Sequence, residues 1–395
     1  MATPGINVLD PEFYVDPWDG YTWLRDEAPL YRDPVQQLWA ISRYDDVLAI
    51  EKDGTTYSSF YGSRPHLDQS ADLSMINMDD PAHQAQRNLV ARRFTPRSVR
   101  DHERHVREVA TEILDAVVPL GECEAIEAIA SRLPAMVIAD LLGYPRELWE
   151  RVRYWSEQTM LLGGQESPDG PPRVSHPDIG AVIQDFVDVT TGIIHERRAE
   201  PRDDLISLWT HTDGWDTGHV LDETILLLDG GAETTRTVIG SMMRDLALQP
   251  AQRQLLLDQP ELLTNTAVEE FIRWVSPILN MRRTATVDHD LHGERIHEGD
   301  ELLLLYASAN RDPRAFDEPD LLDVTRHPEN RHIAFGFGTH FCLGAHLARL
   351  EIRVMFEELL QRMPDWELVD PTEPKIIPAC FARSYDRIRI RFTPS

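Results

Sequence analysis

The residues best suited to chemistry gather in three short stretches of the chain. In residues 335–351, FGFGTHFCLGAHLARLE, Gly336 and Gly338 precede Cys342, and Leu343, Leu347, Leu350 and Val354 then recur at spacings of four, three and four. Cys342 therefore sits in the turn that opens a helix. The unpaired N–H groups and positive dipole end found there favour an anion, so the sulfur is expected as a thiolate able to ligate a metal. Gly336, Gly338 and Gly344 present no side chain to obstruct a large flat ligand near the backbone. Thiolate ligation of haem iron needs a lone cysteine of this kind, because the electron-rich sulfur promotes O–O cleavage. The bland alternative is a buried, inert cysteine beside a glycine-rich turn.

The second stretch, residues 226–236 (LLLDGGAETTR), lies in the middle of a helical pattern over 220–248. Two consecutive glycines inside a helix cost on the order of 1 kcal/mol each relative to alanine, so something must favour them. A ligand passing close to the backbone would do so, and so would close helix packing. Glu233, Thr234 and Thr235 follow, and a threonine can bond its own i−4 carbonyl and bend the helix, leaving room for water or oxygen. The third stretch, EEFIRW, puts Glu270 and Arg273 three apart on one helix face, a pair that on an exposed surface would contribute only a few tenths of a kcal/mol.

The string FGFGTHFCLG resembles the haem-binding signature of cytochromes P450, with Phe335, both glycines, His340, Cys342 and Gly344 in place. GGAETT resembles that family's oxygen-activation segment, and Glu270 with Arg273 resembles its ExxR pair, completed by an arginine before the cysteine loop, here Arg326. The resemblance covers essentially the whole chain. It implies a mainly α protein with small β sheets, an α+β fold in which haem b lies between a long central helix and the cysteine loop, as one domain over residues 1–395. Cys342 would be the metal ligand, Thr234 and Glu233 would deliver the protons that cleave dioxygen, and Phe335 and Gly336 would lie against the haem. The haem propionates require buried cations or hydrogen-bond donors, and His83, Arg87, Arg283 and His332 each resemble a propionate position of the family.

INMDDPAH, GGAETTR and MRRTATVDHDL are similar to segments of actinobacterial enzymes that hydroxylate the terminal methyl of the cholesterol side chain. That implies cholesterol or cholest-4-en-3-one as substrate, with two electrons arriving from a ferredoxin and its ferredoxin reductase. Segments that would face the substrate, around Met75 and Ile76, 226–230, 278–281, and Cys380 and Phe381, are mostly apolar and hold no obvious buried cation for a fatty-acid carboxylate. A branched lipid or another apolar substrate is the alternative, as are a haem-binding sensor without turnover, a peroxide-driven oxygenase and a haem-free enzyme with Cys342 as nucleophile.

The elements that must position these groups are those of an ordinary globular chain of 395 residues, 42% hydrophobic, with three scattered cysteines, Cys123, Cys342 and Cys380, and no CxxC pair. A reducing cytoplasm fits, and the N-terminal acids and prolines leave no apolar run for a signal peptide or membrane anchor. The net charge of −28 argues against nucleic acid. Strand-like pieces over 29–31 and 38–42 suggest a small sheet beside a helical body that runs to about Arg273, and strands return over 301–306 and 387–392. Residues 163–177, GGQESPDGPPRVSHP, contain too many breakers for a helix and read as a long mobile connection. Against the acidic total, residues 84–110 carry Arg87, Arg92, Arg93, Arg97, Arg100, Arg104 and Arg107 against three acids. The family resemblance places this stretch on the cysteine-ligand side of the haem, and so implies that, together with Arg349 and Arg353, it steers an acidic electron donor.

Overall fold

The computed structural model describes residues 5–65, 69, 72–161, 179–327 and 329–394. The breaker-rich connection expected over 163–177 lies outside them. Helices come first in order as α1 (Trp18–Glu27), α2 (Tyr44–Lys52), α3 (Ala82–Val90), α4 (Pro96–Val117), α5 (Arg132–Leu142), α6 (Trp149–Leu161) and α7 (Ile179–Ala199). Then follow α8 (Leu205–Thr210), α9 (Thr217–Leu248), α10 (Pro250–Asp258), α11 (Val268–Val275), α12 (Tyr306–Ala309) and α13 (Ala345–Arg362).

The long helices start where caps and apolar periodicity coincide. At α4, Thr95 accepts a bond from Ser98 N at 3.3 Å and Pro96 takes the first helical position, while Val99, Val106, Val109, Ile113 and Leu114 form one buried stripe. At α9, Asp216 accepts from His219 N at 3.0 Å. The helix then runs for 32 residues with buried side chains on all sides, as a central helix must. Its acids Asp222, Glu223, Asp229 and Glu233 forbid a membrane reading, and no helix among the described residues is long and apolar enough to cross a membrane. The largest apolar core joins α4, α5, α9, α11 and α13; α13 packs on both α4 and α9, and α5 on α9.

The short strands expected near the N-terminus do not form a sheet by themselves. β1 (Leu30–Arg32) and β2 (Trp39–Ile41) pair antiparallel, and β2 then runs parallel to β8 (Glu301–Leu304), with Ala40 opposite Leu303. β8 pairs antiparallel with β5 (Met281–Ala285), which pairs with β3 (Tyr57–Ser58), giving the order β1-β2-β8-β5-β3. Arg283 thus lies inside β5. β6 (His289–Leu291) and β7 (Glu294–Ile296) form a hairpin, and β4 (Glu122–Glu124), β10 (Arg389–Arg391) and β9 (Glu367–Leu368) form a three-stranded sheet in the order β4-β10-β9. β3, β4 and β9 are two or three residues long, too short for a period-two pattern to show in sequence.

Candidate functional site

Cys342 lies three residues before α13, its own N–H bonded to Phe335 O at 2.9 Å, so the glycine-rich loop closes back on itself beneath the sulfur. That closure needs Gly336 and Gly338, whose φ values are +66° and +68°. A Cβ on Gly338 would also meet the carbonyl oxygen of Glu51 in α2. These two glycines serve the turn and its packing rather than ligand clearance alone. Gly344 has nothing within 4 Å of where its Cβ would stand.

The loop is fastened from behind by a buried ionic cluster. Arg273 binds Glu270 through two bonds of 2.7 and 2.8 Å, Arg326 approaches the same carboxylate at 3.1 Å, and both acid and Arg273 are 1% exposed. Arg273 also donates to Asn310 O at 2.9 Å, and Asn310 Oδ1 accepts from Ile333 N at 2.8 Å, two residues before Phe335. A charge cluster far from the sulfur in sequence is thereby connected to the cysteine loop through one asparagine.

In front of the loop lies a cavity of about 490 Å³. Of the residues singled out in the sequence, Cys342, Phe335, Gly336, His83, Arg87 and Arg283 line it together, and Thr234 faces them. Two do not join them. His332 turns toward α11, its Nε2 3.1 Å from Glu269 and its Nδ1 accepting from Ala334 N, so it is not a cavity group. Glu233 is buried against Arg236, one helical turn on, with Glu157 3.8 Å from the same guanidinium. Desolvation raises its pKa and Arg236 pulls it back.

His340, unlike His332, lines the cavity, its ring 4.1 Å from that of His83. Burial and then the guanidiniums of Arg283 and Arg87 push its pKa down to about 2, so it is a neutral imidazole. The signal in the sequence is its place two residues before Cys342 in the glycine-rich loop. Glu51 was also missed: it accepts from Arg283 at 2.8 Å and Tyr306 Oη at 2.6 Å, and from Phe337 N at 3.2 Å. Glu351, on α13, is a third, a buried cavity-lining acid whose pKa desolvation raises to about 8 against a bond from Thr235.

The glycine pair in α9 divides its roles. Gly230 opens onto the cavity with nothing near its Cβ position, whereas a Cβ on Gly231 would lie 2.8 Å from Ile138 of α5. Both readings of the pair therefore apply, one to each residue. Thr234 Oγ1 donates to Gly230 O at 2.8 Å, the i−4 bond expected for it, and so presents oxygen lone pairs to the cavity.

The sulfur's electrostatics correct one expectation. The N–H groups of Gly344 and Ala345 and the guanidiniums of Arg87 and Arg349 favour the thiolate, yet burial outweighs them and pushes the Cys342 thiol up. A helix-end field alone does not hold the anion; a directly bound metal cation is the partner strong enough to do so. The site fits a haem on its own geometry. The sulfur is open to the cavity, Gly230 and Gly344 leave clearance, and Arg87 and Arg283 supply positive charge. His83 Nε2 is buried without a partner among the described residues, while its Nδ1 is 3.0 Å from Asp80 Oδ1; it awaits an acceptor such as a propionate.

The basic stretch expected over 84–110, with Arg349 and Arg353, is partly spent in ion pairs. Arg107 pairs with Glu103, Glu357 and Glu358, Arg353 with Glu103 and Glu357, and Arg349 with Glu269. Arg92, Arg97 and Arg100 stay exposed with no ion pair among the described residues.

Comparison with known proteins places this geometry. Residues 178–380 match the family model described as Cytochrome P450. The chain is 38% identical over 402 residues to a steroid C26-monooxygenase of Mycobacterium tuberculosis, covering 99% of this chain and 98% of that one. It is 35% identical over 377 residues to a methyl-branched lipid omega-hydroxylase of Mycobacterium bovis, covering 87% and 84%. Among solved structures, a Mycobacterium marinum cytochrome P450 in complex with pseudoionone superposes with a TM-score of 0.87 at 30% identity, covering 99% of this chain and 100% of that one. A Bacillus megaterium protein in complex with testosterone superposes with 0.86 at 30%, covering 97% and 99%.

Proposed function

The chain belongs to the cytochrome P450 family, a haem b monooxygenase taking an apolar substrate, dioxygen and electrons from a redox partner, and from that premise we propose that it hydroxylates the terminal methyl of a steroid side chain. Cholesterol and cholest-4-en-3-one are the substrates favoured, in the cytoplasm, with a ferredoxin and its reductase as donors. The observation that carries the reading is the cavity wall opposite Cys342. Four separate segments bring Met75 and Ile76, Leu226 and Leu227, Ile278 and Met281, and Phe381 to one apolar surface beside Thr234. An apolar wall gains about 25 cal/mol per Å² buried and offers a ring system no competing polar site along most of its length. The relatives named steroid C26-monooxygenase, at 36 to 38% identity, support the same substrate.

The haem, when bound, supplies the iron at which dioxygen is reduced and one oxygen atom is made available for insertion into a C–H bond. The residues of this chain do the rest. Cys342 would hold the iron through its sulfur, and the N–H groups of Gly344 and Ala345 would stabilise its negative charge. His83, Arg87, Arg283 and His340 would hold the propionates, with Arg283 held in place by Glu51. Thr234 Oγ1, its proton engaged by Gly230 O, orients a water or hydroxyl donor toward the cavity, and Thr234 must exchange that bond to pass a proton on. Glu233 is the reserve acid in this scheme, reaching the cavity only by leaving Arg236. Glu351 holds a proton behind Thr235, which makes it a second source on the other side of α9.

Adding cholest-4-en-3-one to the ferric holoenzyme tests the reading: a shift of the Soret band toward the high-spin form at micromolar sterol is expected, and no shift up to the solubility limit removes the steroid substrate. A methyl-branched fatty alcohol run in competition separates the second reading, which the 35% identity to the branched-lipid hydroxylase favours.

A further inference from the structure

The substrate-facing wall is not wholly apolar. Arg64, in the chain after β3 and outside the segments expected to face the substrate, lines the cavity half-buried. Its Nη2 donates to Asp229 Oδ2 at 2.8 Å and its Nη1 to Thr159 O at 3.3 Å, while Thr159 Oγ1 donates to Asp229 Oδ1 at 2.6 Å. Both oxygens of Asp229 are thus engaged, and its side chain is 4% exposed against 16% for Arg64. Arg64 lies over the Phe381 ring at 5.1 Å, and its remaining N–H groups have no partner among the described residues apart from the sulfur of Met160 at 3.7 Å. Asp229 stands five residues before Thr234, about 7.5 Å along the helix axis.

We propose that Arg64 and Asp229 form a charge-balanced donor site that takes a neutral oxygen of the substrate, keto or hydroxyl, and turns carboxylates away. The chemistry follows from what is spent and what is left. Asp229 cancels the positive charge and has one oxygen engaged by Arg64 and the other by Thr159, so the pair offers N–H donors without net charge. An acceptor oxygen satisfies those donors in a wall that otherwise gives it none. A carboxylate would meet the same donors together with the field of Asp229, and with Asp72 and Asp222, which line this end of the cavity and are held by Ser74 N and Leu73 N. The cations that could offset them, His83 if protonated, Arg87 and Arg283, belong to the cysteine-loop side. The inference rests on this cavity being the substrate site, and does not require the substrate to be a steroid.

The test uses a matched chain series, 2-dodecanone, dodecanoate and dodecane, titrated into ferric holoenzyme and read as the spin-state shift of the Soret band. Wild type should bind the ketone about tenfold or more tighter than either the acid or the hydrocarbon. Asp229→Asn, which keeps an acceptor for Thr159 but frees the guanidinium charge, should tighten dodecanoate by about tenfold and leave the ketone nearly unchanged. Arg64→Met should erase the preference of ketone over dodecane without creating acid binding. An unchanged acid-to-ketone ratio in Asp229→Asn, or an unchanged ketone-to-dodecane ratio in Arg64→Met, overturns the proposal. If one variant fails to load haem, the other and the wild-type series still decide it. Failure to bind sterols, with this selectivity intact, would count against the steroid reading and leave the donor site standing.

Discussion

The two walls of the cavity are built on different principles. The wall carrying Cys342 is over-determined: the Glu270, Arg273 and Arg326 cluster, Asn310, the left-handed glycines and Glu51 all fix the same loop. The opposite wall is assembled from segments remote in sequence, joined by single polar bonds such as Leu73 N to Asp222 and Met75 N to Glu223, and its surface is mostly apolar. Rigidity sits where the cofactor chemistry is common to a whole family, and variation is left to the wall that meets the substrate. Changes to the first wall should therefore abolish function outright, and changes to the second should redirect it.

The largest effect is expected at Glu270. Replacing it with Gln leaves Arg273 buried without its counter-charge, a change that costs about 3–5 kcal/mol in buried pairs. Haem content after purification and the thermal midpoint should both fall sharply; a variant with full haem content would show that the cluster does not hold the loop. Cys342→Ser comes next. It should lose the red-shifted Soret band of the reduced carbon monoxide complex, because neither other cysteine lines the cavity and burial pushes both thiols to about 12. Retention of that band would move the ligand elsewhere.

Thr234→Ala should leave sterol binding within about twofold while the yield of product per NAD(P)H falls by roughly tenfold, the electrons appearing as hydrogen peroxide. Unchanged coupling removes Thr234 from proton delivery. A smaller effect is expected at Glu351. Its folded pKa of about 8 lies above the ordinary 4.5, so between those values the unfolded chain gives up a proton that the folded chain keeps, and stability falls as pH rises. Glu351→Gln should raise the thermal midpoint at pH 8.5 and leave it nearly unchanged at pH 4.5; equal shifts at both would mean packing alone. Smallest is the effect of Arg97→Glu with Arg100→Glu, which should slow reduction by an acidic ferredoxin severalfold at low salt and negligibly at high salt.

The same contrast explains what the sequence revealed. Cys342, the glycine loop and Thr234 stood out as local spacings, whereas Glu270 and Arg273, an ordinary pair by spacing, and Arg326, 53 residues beyond Arg273, stood out only through the family resemblance. The charge on α4 was legible only as composition, since the partners of Arg107, Glu357 and Glu358, lie some 250 residues away in α13. Arg64 and Asp229, 165 positions apart, meet only in the folded chain. His332 lies away from the cavity for a similar reason: Glu269, fixed by Arg349, holds it, and His340 lines the cavity instead. Short strands such as β3 exist because a distant strand pairs with them, and nothing in their own residues announces it.

Turnover of cholest-4-en-3-one under isotopically heavy dioxygen, with ferredoxin and reductase supplying electrons and the product analysed by mass spectrometry, addresses the substrate proposal most directly. One heavy oxygen atom at the terminal carbon of the side chain is the expected result. Label on the ring system, or product without label, contradicts it.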